Sequence, residues 1–423
     1  MEVPRLLAVM GSGETSPTMV KTHRELLARL GPPPAPAVVL DTPYGFQSNA
    51  ADLAARAVEY FRESVGQTVE VAHFGAAGGD PLEYETMLAQ VRAARYVFSG
   101  PGSPSYALRQ WRDTLVPGLL AEKLRTGGCL TFASAAALTL GVATVPVYEI
   151  YKAGEEPRWL EGLDVLAEAG LRAAVVPHYN NAEGGTHDTR FCYLGEERLA
   201  RMEAMLPEGA FVLGVDEHTA LVLDLDAGTA SVHGLGAVTV RRAGESTEIP
   251  AGESVPVSEL ARLAGTAAGR PRDRRGSAGA RSVTAEPVPR AAPGSPLLER
   301  VATVEAAFDA ALDARDVDGA VRAVLDLEEE LTSWSRDTLQ SDELDRGRGA
   351  LRSMVVRLGS AAEAGAADPA EVVGPFVDAL LGQRDAARAS KRWGDADTVR
   401  DRLAELGVEV RDTPEGTTWR LSS

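Results

Sequence analysis

The chain has 423 residues, too many for one typical domain, with 44% apolar and 25% charged residues, ordinary values for a globular protein. Its 61 Asp and Glu against 43 Lys and Arg give a formal charge of −18. That excludes global attraction to phosphate backbones or anionic membranes and leaves nucleic-acid contact to a local basic patch.

Two cysteines, Cys129 and Cys192, are too few for a disulfide framework or a structural zinc site and read as small buried side chains. The apolar run at 6–10 is too short for a signal-peptide core, and no apolar stretch reaches the roughly 20 residues of a membrane span. A cytoplasmic protein with no membrane partner is expected.

Apolar runs at 6–10, 37–40, 69–74, 96–98 and 129–132 predict strands, and amphipathic stretches at 49–61 and 81–93 predict helices between them. The alternation implies βαβ units in a doubly wound, mostly parallel α/β sheet, which binds ligands beyond the carboxyl ends of its strands. Four such ends carry distinctive residues: Gly11-Ser12-Gly13-Glu14, Asp41-Thr42-Pro43-Tyr44-Gly45, Ser99-Gly100-Pro101-Gly102-Ser103 and Ala133-Ser134-Ala135. Short β-like runs at 211–214, 220–225, 230–233 and 237–241 predict antiparallel hairpins that finish a first domain, residues 1–250.

Residues 251–296 read as a flexible linker, most clearly from 262 onward, where Gly, Ala, Pro, Ser and Arg show no apolar periodicity. Its run Arg270-Pro271-Arg272-Asp273-Arg274-Arg275 is a basic cluster read as solvated linker. From 297 to 423 a separate helical domain is expected. Apolar residues recur at three- and four-residue spacing over 301–312, 317–331, 344–358 and 372–390. A last helix near 396–406 precedes a small hairpin across Thr413-Pro414-Glu415-Gly416. Residues 296–423 hold 16 basic and 26 acidic side chains, so this region too is acidic.

The chemistry concentrates at Ser134. An apolar run leads into Ala133-Ser134-Ala135-Ala136-Ala137 and then into a helix-like stretch. A serine at a sharp strand-to-helix turn projects its hydroxyl while the N–H of the next residue, Ala135, faces a developing oxyanion; the alternative is an N-cap. A base is needed, and His178, in Pro177-His178-Tyr179-Asn180-Asn181, follows a predicted strand and reaches the same rim. His23 and His73 lie inside predicted elements, His233 in a hairpin, and His187 and His218 in polar loops. Glu149, in a mostly apolar segment, is the candidate acid that orients the imidazole; the alternative is an edge-strand carboxylate.

These residues resemble the dipeptidase E (aspartyl dipeptidase) family, which is related to cyanophycinases and to class I glutamine amidotransferase folds. The resemblance runs over most of residues 5–247. Ser134-Ala135-Ala136-Ala137 falls on the family's Ser-Ala-Gly-Ala elbow, and Glu149 falls on an acid fifteen residues beyond the serine. Gly100-Pro101-Gly102-Ser103 falls on a Gly-Gly-Gly-Asn loop, and Leu213-Gly214-Val215-Asp216-Glu217 on a Gly-x-x-Glu turn. The segment from Pro177 through Glu183-Gly184 and Thr189-Arg190 to Glu197-Arg198-Leu199 resembles the family's histidine segment. Phe132 and Pro101 stand where the pattern has glycine, and Glu149 stands where it has aspartate.

The resemblance implies a Ser134–His178–Glu149 triad with an oxyanion hole from Ala135 and Gly102, small peptides as substrate, and no cofactor. Arg190 (or Arg198) and Glu217 are the candidate substrate-binding residues. An amidotransferase of this fold would keep a cysteine at the elbow, and Cys129 lies five residues too early.

A second resemblance covers about 300–423. The run from Gln383-Arg384-Asp385 through Lys391-Arg392-Trp393, the Ala396–Leu403 stretch and Asp412 to Trp419 resembles the C-terminus of cysteinyl-tRNA synthetases. Nucleotide-binding signatures of such an enzyme are missing, so a complete synthetase is not expected. The resemblance implies tRNA contact, with Arg384, Arg388, Lys391 and Arg392 as a basic stripe (Arg400 beside them) and Trp393 or Trp419 stacking on a base. Alternatively the tryptophans fill a small core and the arginines pair with neighbouring acids. Two functions follow as expectations: a serine peptidase or amidase, or a tRNA-binding protein on a non-catalytic hydrolase scaffold.

Overall fold

The protein is described by a computed structural model covering residues 3–182, 187–265, 281–283, 295–334, 343–366, 369–413 and 416–421. It divides into two compact units, residues 1–300 with 328–347, and residues 301–327 with 348–423.

In the first unit, strands and helices alternate: β1 (Arg5–Met10), α1 (Val20–Ala28), β2 (Ala37–Leu40), α2 (Ala50–Tyr60), β3 (Glu70–Ala72), α3 (Pro81–Ala93), β4 (Tyr96–Ser99), α4 (Pro104–Trp111), α5 (Val116–Thr126) and β5 (Gly128–Ala133). A short helix, α6 (Ser134–Leu138), follows β5 directly. Next comes a two-strand ribbon, β6 (Ala143–Thr144) with β7 (Leu160–Glu161), enclosing α7 (Val147–Tyr151). The rest comprises β8 (Ala173–Val176), α8 (Gly195–Glu203), β9 (Phe211–Val215), β10 (Thr219–Asp224), β11 (Thr229–Gly234), β12 (Ala237–Arg242), β13 (Glu245–Pro250), β14 (Ser254–Pro256), α9 (Val257–Leu263) and β15 (Arg281–Val283).

The main sheet has eight strands in the order β14-β11-β10-β1-β5-β4-β2-β3. From β1 to β3 every pairing is parallel, and β10 runs antiparallel beside β1. Strands β1 and β5 are covered on both faces, which is why they read as continuous apolar runs rather than alternations. Leu6, Leu7, Val9, Cys129, Leu130 and Phe132 are all fully buried, each large aliphatic or aromatic side chain contributing about 1.5–3 kcal/mol. Their register sets Met10 opposite Ala133, so the loops after β1 and β5 leave the sheet at the same level.

The runs after Leu206 do not make one set of hairpins. Strands β10 and β11 join the main sheet, whereas β12 and β13 form a hairpin in a second sheet ordered β15-β13-β12-β9-β8, where β9 lies parallel to β8. The crossing between sheets needs close backbone approach at Gly236, where a Cβ would stand 2.5 Å from that of Asp216.

The linker also begins later than expected. Residues 254–256 pair with β11, and α9 buries Val257 and Leu260 in the main core, an i, i+3 pattern hidden within a polar stretch. The basic run 270–275, Glu183-Gly184 and Pro414-Glu415 lie outside the described residues.

The remaining elements are α10 (Pro296–Asp313), α11 (Val317–Trp334), α12 (Glu343–Ala366), α13 (Pro369–Ala389), α14 (Trp393–Glu405) and the hairpin β16 (Val408–Thr413) with β17 (Gly416–Leu421). In the second unit Val377, Leu381, Leu403 and Val408 form a small core joining α13, α14 and the hairpin, with Trp419 packed against it. Among the described residues no helix is long and apolar enough to cross a membrane.

Candidate active site

Strand β5 ends at Ala133, and Ser134, the first residue of α6, takes a left-handed φ of 48°. A β-carbon residue adopts that conformation only under surrounding constraint. It is the sharp strand-to-helix turn that the sequence pattern anticipates. Phe132 does not obstruct it. Its ring is fully buried in the main core, 6.1 Å from the ring of Trp111. Ala135 lies in the first turn of α6, where an N–H has no acceptor within the helix.

The loop after β4 stands alongside. Ala136 N–H donates to the Gly100 carbonyl at 3.1 Å, tying the elbow to that loop. Gly102 has φ 136°, and a Cβ there would lie 2.1 Å from the Pro43 carbonyl oxygen, so only glycine fits. Ser103 N–H donates to the same carbonyl at 2.8 Å, so the Asp41–Gly45 turn braces the loop from outside. Pro101 has no N–H to offer, and Gly102 keeps its own.

Strand β8 delivers His178, also at positive φ (47°), with its N–H donating to the Gly11 carbonyl at 3.3 Å. Ser134 Oγ is 2.9 Å from His178 Nε2. On the other side of the ring, Nδ1 is 2.9 Å from Glu217 Oε1. With the proton on Nδ1, the carboxylate accepts it, and Nε2 is left to accept from the serine hydroxyl.

The acid on the imidazole is therefore Glu217, not Glu149. Glu217 follows β9, the neighbour of β8, so adjacent strand ends set acid beside base. Asn181 Nδ2 donates to Glu217 Oε1 at 3.1 Å, and Glu217 N–H donates to Asn180 Oδ1 at 2.8 Å. Burial disfavours the Glu217 charge, yet hydrogen bonds from His178 and Asn181 outweigh it and hold the carboxyl below its usual range. Glu149 sits on the short helix α7 rather than on an edge strand, and its Oε2 is buried without a hydrogen-bond partner. Its spacing from the serine had singled it out, but the carboxylate on the imidazole is that of Glu217.

Arg190 is likewise not set for a substrate. Its Nε and Nη2 donate to the two oxygens of Asp188, each at 2.9 Å, and hold that carboxyl at about 2. Glu217, expected on the substrate, is held by the histidine instead.

The serine opens into a cavity of about 440 Å³ whose lining includes Gly102, Ala135, Tyr148, Tyr151, Lys152 and Tyr193. His218 also reaches it. Reading His218 as a loop residue missed this: its Nδ1 is 2.9 Å from Thr18 Oγ1, and burial lowers its basicity. The aromatic lining, Tyr44, Tyr148, Tyr151 and Tyr193, carries no sequence signal, because it comes from three separate segments. Cys192 borders the cavity too, but burial pushes its thiol far up, as it pushes Cys129 up to about 12, so neither offers a thiolate.

In the second unit the expected basic stripe is largely neutralised. Arg384 is almost wholly buried, and its Nη1 and Nη2 donate to Asp412 at 2.9 and 2.7 Å. Arg388 donates to Asp412 at 2.6 Å, and Arg392 to Asp395 at 2.7 Å. Trp419 packs on the core and donates to Asp378 Oδ1 at 2.9 Å. Trp393, at the start of α14, is 58% exposed, and Lys391 stands two residues before it at φ 57°.

Residues 373–420 match the family model of the cysteinyl-tRNA ligase anticodon binding domain. Among curated proteins, the cysteine–tRNA ligase of Phocaeicola vulgatus is 52% identical over 52 residues, covering 12% of this chain and 10% of that protein. That of Azotobacter vinelandii is 49% identical over 59 residues, covering 14% and 12%. The chain thus spans about a tenth of the length of the curated relatives it matches. Among solved structures, a peptidase from an acI-B1 Actinobacterium aligns with 60% of this chain and 98% of its own length, at TM-score 0.49 and 20% identity. A putative peptidase E protein from Listeria monocytogenes EGD-e aligns with 55% and 100%, at TM-score 0.37 and 14% identity.

Proposed function

We propose that the first unit is a serine hydrolase, a peptidase or amidase acting on small peptides through Ser134, His178 and Glu217. The relay of two 2.9 Å contacts from Ser134 Oγ through the imidazole to Glu217 carries this reading. Ser134 Oγ attacks the scissile carbonyl carbon as His178 Nε2 takes its proton. Glu217 stabilises the imidazolium and keeps its tautomer without taking the proton itself. Negative charge on the carbonyl oxygen meets the N–H groups of Ala135 and Gly102. His178 then protonates the leaving amine, leaving an acyl ester on Ser134, which a water deprotonated by His178 hydrolyses. The cavity, at about 440 Å³, suits a short peptide rather than a folded chain.

The test is cleavage of a mixed short-peptide library read by mass spectrometry, for the full chain and for Ser134→Ala. Cleavage that vanishes in the variant is expected. Equal cleavage by both proteins would remove Ser134 from the mechanism.

A second activity is proposed for the C-terminal region, on the match at 373–420 alone. There Lys391 and the exposed Trp393 would meet a tRNA, the indole stacking on a base.

A further inference from the structure

Glu14 is a carboxyl that the relay does not use. Its side chain is fully buried, and neither oxygen has a partner from another residue; only its own backbone N–H stands close enough to favour the charged form. A carboxyl with so little compensation in such a place works against folding. Its surroundings indicate what it does.

Glu14 belongs to the loop after β1, and its Oε1 would stand 3.2 Å from a Cβ built on Gly100, in the loop after β4. In the sheet, β5 lies between β1 and β4. A side chain rooted after β1 that ends against Gly100 must therefore cross the end of β5, where Ser134 turns. The carboxyl occupies the space a side chain at position 100 would need, and Gly100 is the residue whose carbonyl accepts from Ala136 of the elbow. The root is fixed as well: His23 Nε2 lies 2.6 Å from the Glu14 carbonyl oxygen, and Gly13 packs against the His218 ring.

We propose that Glu14 is a positioning residue of the hydrolytic centre, whose carboxyl braces Gly100 and so sets where the Gly102 N–H stands relative to Ser134. This rests on the serine-hydrolase reading above. Among the described residues the charge of His178 favours ionisation of the carboxyl, and His23 engages the Glu14 backbone carbonyl. Burial dominates and raises its pKa. On this proposal the carboxyl braces by its shape as an uncharged acid, which glutamine reproduces and alanine does not. An ionised Glu14 would act differently, as a second negative charge that makes His178 more basic.

The probe is a fluorophosphonate, which phosphonylates the serine Oγ with loss of fluoride and needs no knowledge of the substrate. Second-order labelling rates are measured by intact mass from pH 5 to 9 for the full chain, Glu14→Gln, Glu14→Ala and Ser134→Ala, with thermal unfolding of each. Glu14→Gln is expected within about threefold of the parent, its pH midpoint unmoved. Glu14→Ala, compared at a temperature where it is folded, is expected to be at least about tenfold slower. A Gln variant slowed tenfold, or with a midpoint displaced by about one pH unit, would overturn the proposal in favour of a carboxylate acting on His178. An Ala variant that labels like the parent would overturn it outright. A parent chain that does not label at all refutes the hydrolase reading first and this inference with it, whereas loss confined to Ser134→Ala leaves the reading standing.

Discussion

Two carboxyls were candidates to hold the imidazole, and their surroundings separate them. Glu217 is fixed by Asn180, Asn181 and His178 at 2.8–3.1 Å, whereas Glu149 Oε2 is buried with no partner. If Glu217 holds the imidazole, Glu217→Gln should slow turnover of Ser134 by about a thousandfold or more, because the amide no longer enforces the tautomer that leaves Nε2 free. Glu149→Gln should stay within about threefold. Labelling or hydrolysis rates of the two variants decide it, and the reverse order would return the third role to Glu149.

The contrast also marks what the residues alone disclose. The sequence singled out Ser134 and His178 because each sits where an apolar run stops at a strand end, and their side chains stand 2.9 Å apart. Glu217 was visible as a motif, but its assignment to the substrate came from analogy. Only the parallel pairing of β8 with β9 sets its carboxylate on the histidine.

Elements carry the site through their ends, and α1 shows how. His23 on α1 is fully buried among Tyr60, Phe61, Tyr96 and Phe98. Its Nδ1 is 2.6 Å from Tyr96 Oη on β4 and its Nε2 is 2.6 Å from the Glu14 carbonyl. A neutral ring serves both, accepting at Nδ1 and donating at Nε2. Burial lowers its pKa from 6.5 to about 4. Between those values the unfolded chain binds a proton that the folded chain refuses. Stability is therefore full above pH 6.5 and is lost as pH falls towards about 4, by up to roughly 3 kcal/mol. His218 and His233 shift the same way and add to the slope. Urea unfolding midpoints at pH 7.5 and 5 should fall for the parent chain, and less steeply for His23→Gln, which has no ring to protonate. An equal slope in both would assign the loss to other groups. None of this could be read from the sequence: a polar residue on the buried face of α1 shows its partners only once β4 and the loop after β1 converge on it. The strands themselves were legible, because two-sided burial writes itself as unbroken apolar runs. The split of the later strands between two sheets was not, since both arrangements share one alternation pattern.

At the scale of the whole chain, charge decides how the two activities would coexist. A chain at −18 with 26 acids against 16 bases in residues 296–423 repels a polyanion at long range. Its matched region has already used its best-placed cations: Arg384 and Arg388 share Asp412, whose carboxyl they hold far below the ordinary range, and Arg392 faces Asp395. Each phosphate contact by a free cation would add about 0.9 to the slope of log affinity against log salt. With Lys391 as the exposed cation beside Trp393, binding of unfractionated tRNA by the full chain should show a slope no steeper than about two and should rest mainly on stacking. Trp393→Ala should then weaken it by about 1–3 kcal/mol, while Arg384→Gln should unfold the hairpin rather than change the salt slope. Filter binding between 50 and 200 mM salt, with circular dichroism of each variant, measures both. A slope of five or more would mean that the arginine–aspartate pairs open to admit phosphate. No binding at 50 mM salt would leave residues 373–420 as a retained fold without the contact its relatives are named for.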